Sequence, residues 1–196
     1  MGKQSTLFPQ NEPPIMQELE IQEAEKIANF IKNSVILHCD QIEIAGSIRR
    51  KRPKVHDVDF VVAAKNDYEW QKILAELKRL KAKPNCSGNS VIKTYFPCNE
   101  GFFQVDFYRA KPSTFGIHLL IRTGSAEHNM WLAGYAFTKG MRLKYSEGLI
   151  KDENIVAGES EKGVFEALEL RFPEPHAREI TDGNPIWKSE KVTTDC

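Results

Sequence analysis

Asp57 and Asp59 stand one residue apart in Asp57-Val58-Asp59-Phe60-Val61-Val62, a run rich in Val and Phe that reads as a strand. Successive strand side chains alternate faces, so the two carboxylates share one face. Placed together on a half-buried strand they repel, and a divalent cation held by oxygen ligands is the usual relief. Taken alone, the same D-x-D also fits a solvated edge strand with two surface acids. Asp106 lies in a second strand-like run, Gly101 to Arg109. There Phe103, Val105 and Phe107 share one face, and Gln104, Asp106 and Tyr108 share the other. If this strand lies beside the first, Asp106 completes a cluster of three carboxylates.

The residues ahead of the first acids supply the opposite charge. Gln41 to Ala45 alternates like a strand, Gly46-Ser47 is a tight turn, and Ile48-Arg49-Arg50 opens a helix. Backbone N–H groups at such a turn suit a phosphate, and Arg50 adds a planar, bidentate contact. A phosphate cradle followed by paired carboxylates looks like a site for a metal–triphosphate complex. The basic run Arg49 to Lys54 is either a solvated loop or a nucleic-acid contact.

Net charge over the 196 residues is zero, which by itself argues against a nucleic-acid binder. Its distribution points the other way. Residues 1–45 carry 3 basic and 7 acidic side chains, residues 46–111 carry 14 and 7, and residues 112–196 carry 10 and 13. The positive segment surrounds the candidate site and would focus polyanions there. At 41% hydrophobic the chain can build a core. No apolar run approaches the ~20 residues that span a bilayer, and the amino terminus lacks a secretory apolar segment. The four cysteines form no C-x-x-C pair, so an intracellular, reducing location is expected, with no membrane partner.

The positioning elements follow from periodicity. Residues 1–13 read as a flexible lead. Ile15 to Ile31 reads as an amphipathic helix, Tyr68 to Leu80 as another, and Pro84 to Asn89 as a turn. Val91 to Phe96 and Gly101 to Arg109 form a hairpin. A helix from Pro112 to Arg122 breaks at Thr123-Gly124-Ser125. Ser125 caps a second helix that runs to Lys139, with Met130, Trp131, Tyr135 and Phe137 in the core. Met141 to Tyr145 is a strand, residues 148–158 are a polar turn region, Glu161 to Leu170 is a helix, and residues 181–196 are a tail.

Four motifs in this order resemble the family X DNA polymerases, the group that contains DNA polymerase beta. They are GSIRRKRPKVHDVDFVV, FQVDFYRA, RTGSAEHN and AGESEKGVFEALELRFPEPHARE, within a match over roughly residues 14–180. The resemblance implies an α+β fold. Residues 14–111 would form a nucleotidyltransferase palm with a mixed β-sheet and flanking helices. Residues 112–180 would form a small carboxy-terminal α/β subdomain that closes over the nucleotide. It implies two-metal phosphoryl transfer with Mg²⁺, or Mn²⁺ in its place. Asp57 and Asp59 would bridge both ions, and Asp106 would hold the one that activates a primer 3′-hydroxyl. Gly46, Ser47 and Arg50 would hold the triphosphate of a deoxynucleotide. Thr123, Gly124 and Ser125 would line the sugar, and Asn129 would reach the base. Arg49, Arg52, Lys54, Lys93 and Arg122 are candidates for DNA contact.

Departures from the family pattern carry further expectations. His56 replaces the usual Gly before the first catalytic aspartate, and it either crowds the triphosphate, adds a donor to it, or is a neighbour with no direct role. Ile121-Arg122 replaces an aromatic pair that screens the sugar. Ala126, Asn129 and Ala133 form a smaller helix face than that of polymerase beta, so relaxed fidelity is expected. Met16 stands near an expected arginine, and His128 serves a structural or a DNA role. The lead leaves no room for a lyase or helix-hairpin-helix domain, so a minimal, monomeric polymerase of low processivity is expected. It would fill short gaps in primer-template DNA during repair; a partner such as a ligase is compatible, though no motif points to one. A template-independent nucleotidyltransferase, acting as a terminal transferase or on RNA, protein or small molecules, is the main alternative. A non-catalytic nucleic-acid-binding module is a third reading, and three clustered acids weigh against it.

Overall fold

The computed structural model describes residues 16–98 and 101–180. The expected lead, 1–13, and the expected tail, 181–196, lie outside the described residues. In chain order the elements are β1 (Leu19–Glu20), α1 (Ile21–Val35), β2 (Cys39–Ile44), α2 (Gly46–Arg49), β3 (Lys54–Val55), β4 (Asp57–Ala64), α3 (Asp67–Arg79), β5 (Lys83–Ser87), β6 (Val91–Cys98) and β7 (Gly101–Arg109). Then follow α4 (Phe115–Thr123), α5 (Ala126–Thr138), β8 (Met141–Lys144), β9 (Gly148–Lys151), β10 (Asn154–Ala157) and α6 (Glu161–Ala167).

The central sheet has the order β2-β4-β7-β6-β5 and is mixed, because β4 and β7 run parallel while its other pairs are antiparallel. One face carries Val58, Phe60, Val62, Phe103, Val105 and Phe107, packed in one core with Ala24, Ala28 and Ile31 of α1 and Trp70, Ile73 and Leu77 of α3. Phe60 and Phe107 stack across neighbouring strands at 4.7 Å. The opposite face is divided. At one end Val61 and Ala63 pack with Ala45, Ala110, and Phe115 and Leu119 of α4. The other end bears the acids. A separate core joins Ile117 and Leu120 of α4, Leu132 and Ala136 of α5, Leu149 of β9, and Val164 and Phe165 of α6.

Four expectations are corrected by tertiary context. The first helix starts at Ile21 and runs to Val35, because Leu19–Glu20 pair with Lys54–Val55 as a short ladder. The Pro84 segment is not a turn but an edge strand that pairs with β6, where a proline is tolerated beside a register shift. The polar region 148–158 is a hairpin, turned by Asp152 and Glu153 with φ of 47° and 62°. Positive φ at both central residues suits the twist of a two-residue hairpin, and no glycine signals it here. On α5 the buried positions are His128, Leu132 and Ala136, which leaves Met130 68% and Phe137 76% exposed rather than in the core. Among the described residues no helix is long and apolar enough to cross a membrane.

Candidate active site

Parallel pairing of β4 with β7 sets Asp57 beside Gln104 and Asp59 beside Asp106, and antiparallel pairing of β7 with β6 sets Lys93 beside Asp106. One row across three strands therefore reads Asp59, Asp106, Lys93. Burial drives the Asp59 carboxyl up to about 7, with repulsion from Asp57 and Asp106 added. Asp57 is raised for the same reasons, burial first and Asp106 second. Asp106 is 1% exposed and is held by three neighbours. Lys93 Nζ lies 2.8 Å from Oδ2, Tyr108 donates its hydroxyl at 3.0 Å, and the Gln104 amide reaches both oxygens at 3.1 Å.

Gly46 is required where it stands. Its φ is +61°, and a Cβ there would lie 2.3 Å from Asp59 Oδ2. Ser47 Oγ is buried with no hydrogen-bond partner among the described residues. The helix that follows, α2, is a single turn of four residues, too short to offer a helix dipole to an anion. Arg50 bonds Glu179 through Nε at 2.7 Å and donates from Nη1 to the Thr123 carbonyl. Through Arg50 the Gly46-Ser47 turn therefore meets the Thr123-Gly124-Ser125 turn. Gly124 has φ of +69°, Ser125 Oγ accepts from His128 N to cap α5, and the Asn129 amide donates to the Ile121 carbonyl at 2.7 Å.

The basic candidates have partners within the chain. Arg49 does not join the acidic face; its guanidinium grips Glu161 at 2.8 and 2.5 Å and reaches Thr123 Oγ1 at 2.7 Å. Lys54 lies against Glu20 at 2.7 Å and Glu18 at 3.4 Å. Arg52 stands 3.8 Å from Glu179, and Lys93 is on Asp106. Arg122 stacks over the Tyr108 ring, 3.5 Å from its centroid. His56 is 78% exposed and 3.1 Å from Glu18.

Sequence reasoning missed a buried charge network. Arg178, fully buried, bonds Glu161 Oε1 at 2.6 Å, so Glu161 lies between two guanidiniums. Burial alone would raise the Glu161 carboxyl, but Arg49 and Arg178 outweigh it and hold it below the usual range. Residues 49, 161 and 178 are too far apart for any sequence period to pair them. Tyr108 and Gln104 were legible only as neighbours of Asp106 on one strand face.

The chemistry of the donor set fits divalent cations: hard oxygens, mutually repelling, with an ammonium already drawn onto one of them. Among the described residues no group of three or more His, Cys, Asp or Glu side chains is gathered tightly enough to hold a metal as it stands. Lys93, Gln104 and Tyr108 hold Asp106 in this arrangement.

Residues 118–179 match the family model described as DNA polymerase beta thumb. The chain is 28% identical over 181 residues to the "DNA polymerase/3'-5' exonuclease PolX" of Bacillus subtilis, covering 91% of this chain and 30% of that protein. It is 32% identical over 77 residues to "DNA polymerase IV" of Saccharomyces cerevisiae, covering 39% of this chain and 13% of that protein. These matches make the chain similar to family X polymerases, over its carboxy-terminal part by the family model and over most of its length by the first relative. It spans less than a third of the length of either relative.

Proposed function

We propose that this chain is a DNA-directed DNA polymerase that adds deoxynucleotides to a primer 3′-hydroxyl and fills short gaps. The observation that carries the reading is the parallel register that puts Asp106 beside Asp59, with Asp57 two residues before it on the same strand face, joined through Arg50 to the Thr123-Gly124-Ser125 turn. Asp57, Asp59 and Asp106 would hold two divalent cations, Mg²⁺ or Mn²⁺. When bound, these supply the positive charge that acidifies the primer hydroxyl and neutralises the leaving pyrophosphate. Ser47 Oγ and Arg50 would bind the triphosphate, and the Thr123-Gly124-Ser125 turn would orient the sugar. The exposed arc of α5 carrying Ala126 and Ala133 offers few polar groups to test a base pair, which supports relaxed fidelity.

Primer extension on a one-nucleotide gap, with each deoxynucleotide offered singly, tests the reading. Insertion should follow the template base and vanish in Asp106→Ala, while binding of the gapped DNA survives. Insertion that ignores the template would instead show a terminal transferase. Error rates as low as those of a relative with an aromatic sugar screen would count against relaxed fidelity.

A further inference from the structure

We propose that Tyr108 is a positioning residue that holds two parts of the site in register, the Asp106 carboxylate through its hydroxyl and the Arg122 guanidinium through its ring. The kinetic consequences rest on the polymerase reading above; the consequence for metal binding does not.

Tyr108 sits two residues beyond Asp106 on β7, so both side chains leave the same face of the sheet. Its hydroxyl donates to Asp106 Oδ2 at 3.0 Å, beside the Gln104 amide at 3.1 Å to each oxygen. Lys93 completes the set at 2.8 Å, but on a half-exposed, flexible stem that a competing cation can displace. With Lys93 gone, Tyr108 and Gln104 are the groups left to fix the carboxylate's rotation. Outer partners of ligating carboxylates act in this way, and their loss weakens metal affinity.

The ring does separate work. The central carbon of the Arg122 guanidinium lies over it, 3.5 Å from the ring centroid, a cation–π contact in a part-buried setting. Arg122 Nε is buried with no hydrogen-bond partner among the described residues, so stacking on Tyr108, with Tyr145 at 5.6 Å, and attraction to the Asp59 carboxylate hold it in place. The next residue in the chain is Thr123, whose carbonyl receives Arg50. A displaced ring therefore frees the end of α4 and the turn assigned to the sugar. One side chain thus ties strand β7 to the turn after α4.

The two halves separate by substitution. Tyr108→Phe removes the hydroxyl and keeps the stack. Its dissociation constant for Mn²⁺, followed by the ion's electron paramagnetic resonance on protein alone, should rise about tenfold. Its KM for deoxynucleotide at saturating metal should not move. Arg122→Met should raise that KM about two- to fivefold without weakening Mn²⁺ at a pH high enough to ionise all three carboxylates, where losing a like charge favours the cation. Tyr108→Leu should show both effects; if it melts before assay, the two single variants still decide. Wild-type Mn²⁺ affinity in Tyr108→Phe, weaker Mn²⁺ binding in Arg122→Met, or a wild-type KM in Arg122→Met would overturn the proposal. A wild-type chain that fills no gap refutes the polymerase reading instead, and the Mn²⁺ comparison still judges the role of the hydroxyl.

Discussion

Two regions of this molecule bury charge, and they balance it in opposite ways. On the acidic face three carboxylates share one close ammonium, and Asp59 is driven up to about 7 by burial and by its neighbours. At the junction of the sheet with the carboxy-terminal half, signs alternate: Arg49, Glu161 and Arg178 form one buried chain, and Arg50 with Glu179 forms another pair beside it. At the junction each charge meets its opposite, although Arg178 Nη2 is buried with no hydrogen-bond partner among the described residues. The acidic face is stressed as it stands and, on the proposed function, would be relieved by added cations. Stability and the proposed chemistry would thus fall in different places, and substitutions in the two regions should have opposite effects on stability.

Asp59→Asn gives the largest contrast. Nucleotide insertion should fall below detection, yet the metal-free protein at pH 8 should gain about 1–3 kcal/mol, discounted for the partial exposure of the site. A thermal melt without Mg²⁺ checks the sign; a lower midpoint would break the comparison. At the junction Glu161→Ala should cost about 3–5 kcal/mol, because it strands a buried guanidinium. Denaturant titration measures it, and a loss below about 1 kcal/mol would show that water reaches Arg178.

A smaller effect depends on pH. His128 is fully buried, and burial first, then the Arg178 charge, pushes its imidazole down to about 4. Above about pH 6.5 it is neutral folded or unfolded. Between there and about 4 only the unfolded chain takes the proton, so the His128 contribution to stability should fall with acidification by up to about 3 kcal/mol, while Asp59, raised to about 7, acts in the opposite direction. His128→Phe should flatten that slope, read from midpoints at pH 7 and pH 4.5. The smallest effect tests the edge of the junction. Glu179 occupies the Arg50 fork that the triphosphate would use. Glu179→Gln should lower the nucleotide KM about two- to fivefold at constant kcat, the size of a partly exposed ion pair.

Legibility followed the range of the interaction. Asp57 and Asp59 announce a shared strand face because that period is two residues long, and Ser125 announces a cap because its partner, His128 N, is three residues away. The hairpin turned by Asp152 and Glu153 was not legible, since left-handed backbone at acidic residues has no compositional signal. Nor was the edge strand holding Pro84, whose pairing with β6 overrides its turn-like composition. Arg49 read as one of a basic run beside the site, and only its partner at position 161 shows that it serves the junction.

By itself the sequence determined which residues could carry chemistry, the faces they leave from, and the motifs through which it resembles a known family. Those depend on residue type and short spacing. The tertiary structure alone decided that Asp106 lies beside Asp59, that Lys93 and Tyr108 hold it, and which glutamate answers each arginine. Such pairings join residues as many as 129 positions apart, as Arg50 and Glu179 are, and only strand register and helix packing bring them within reach.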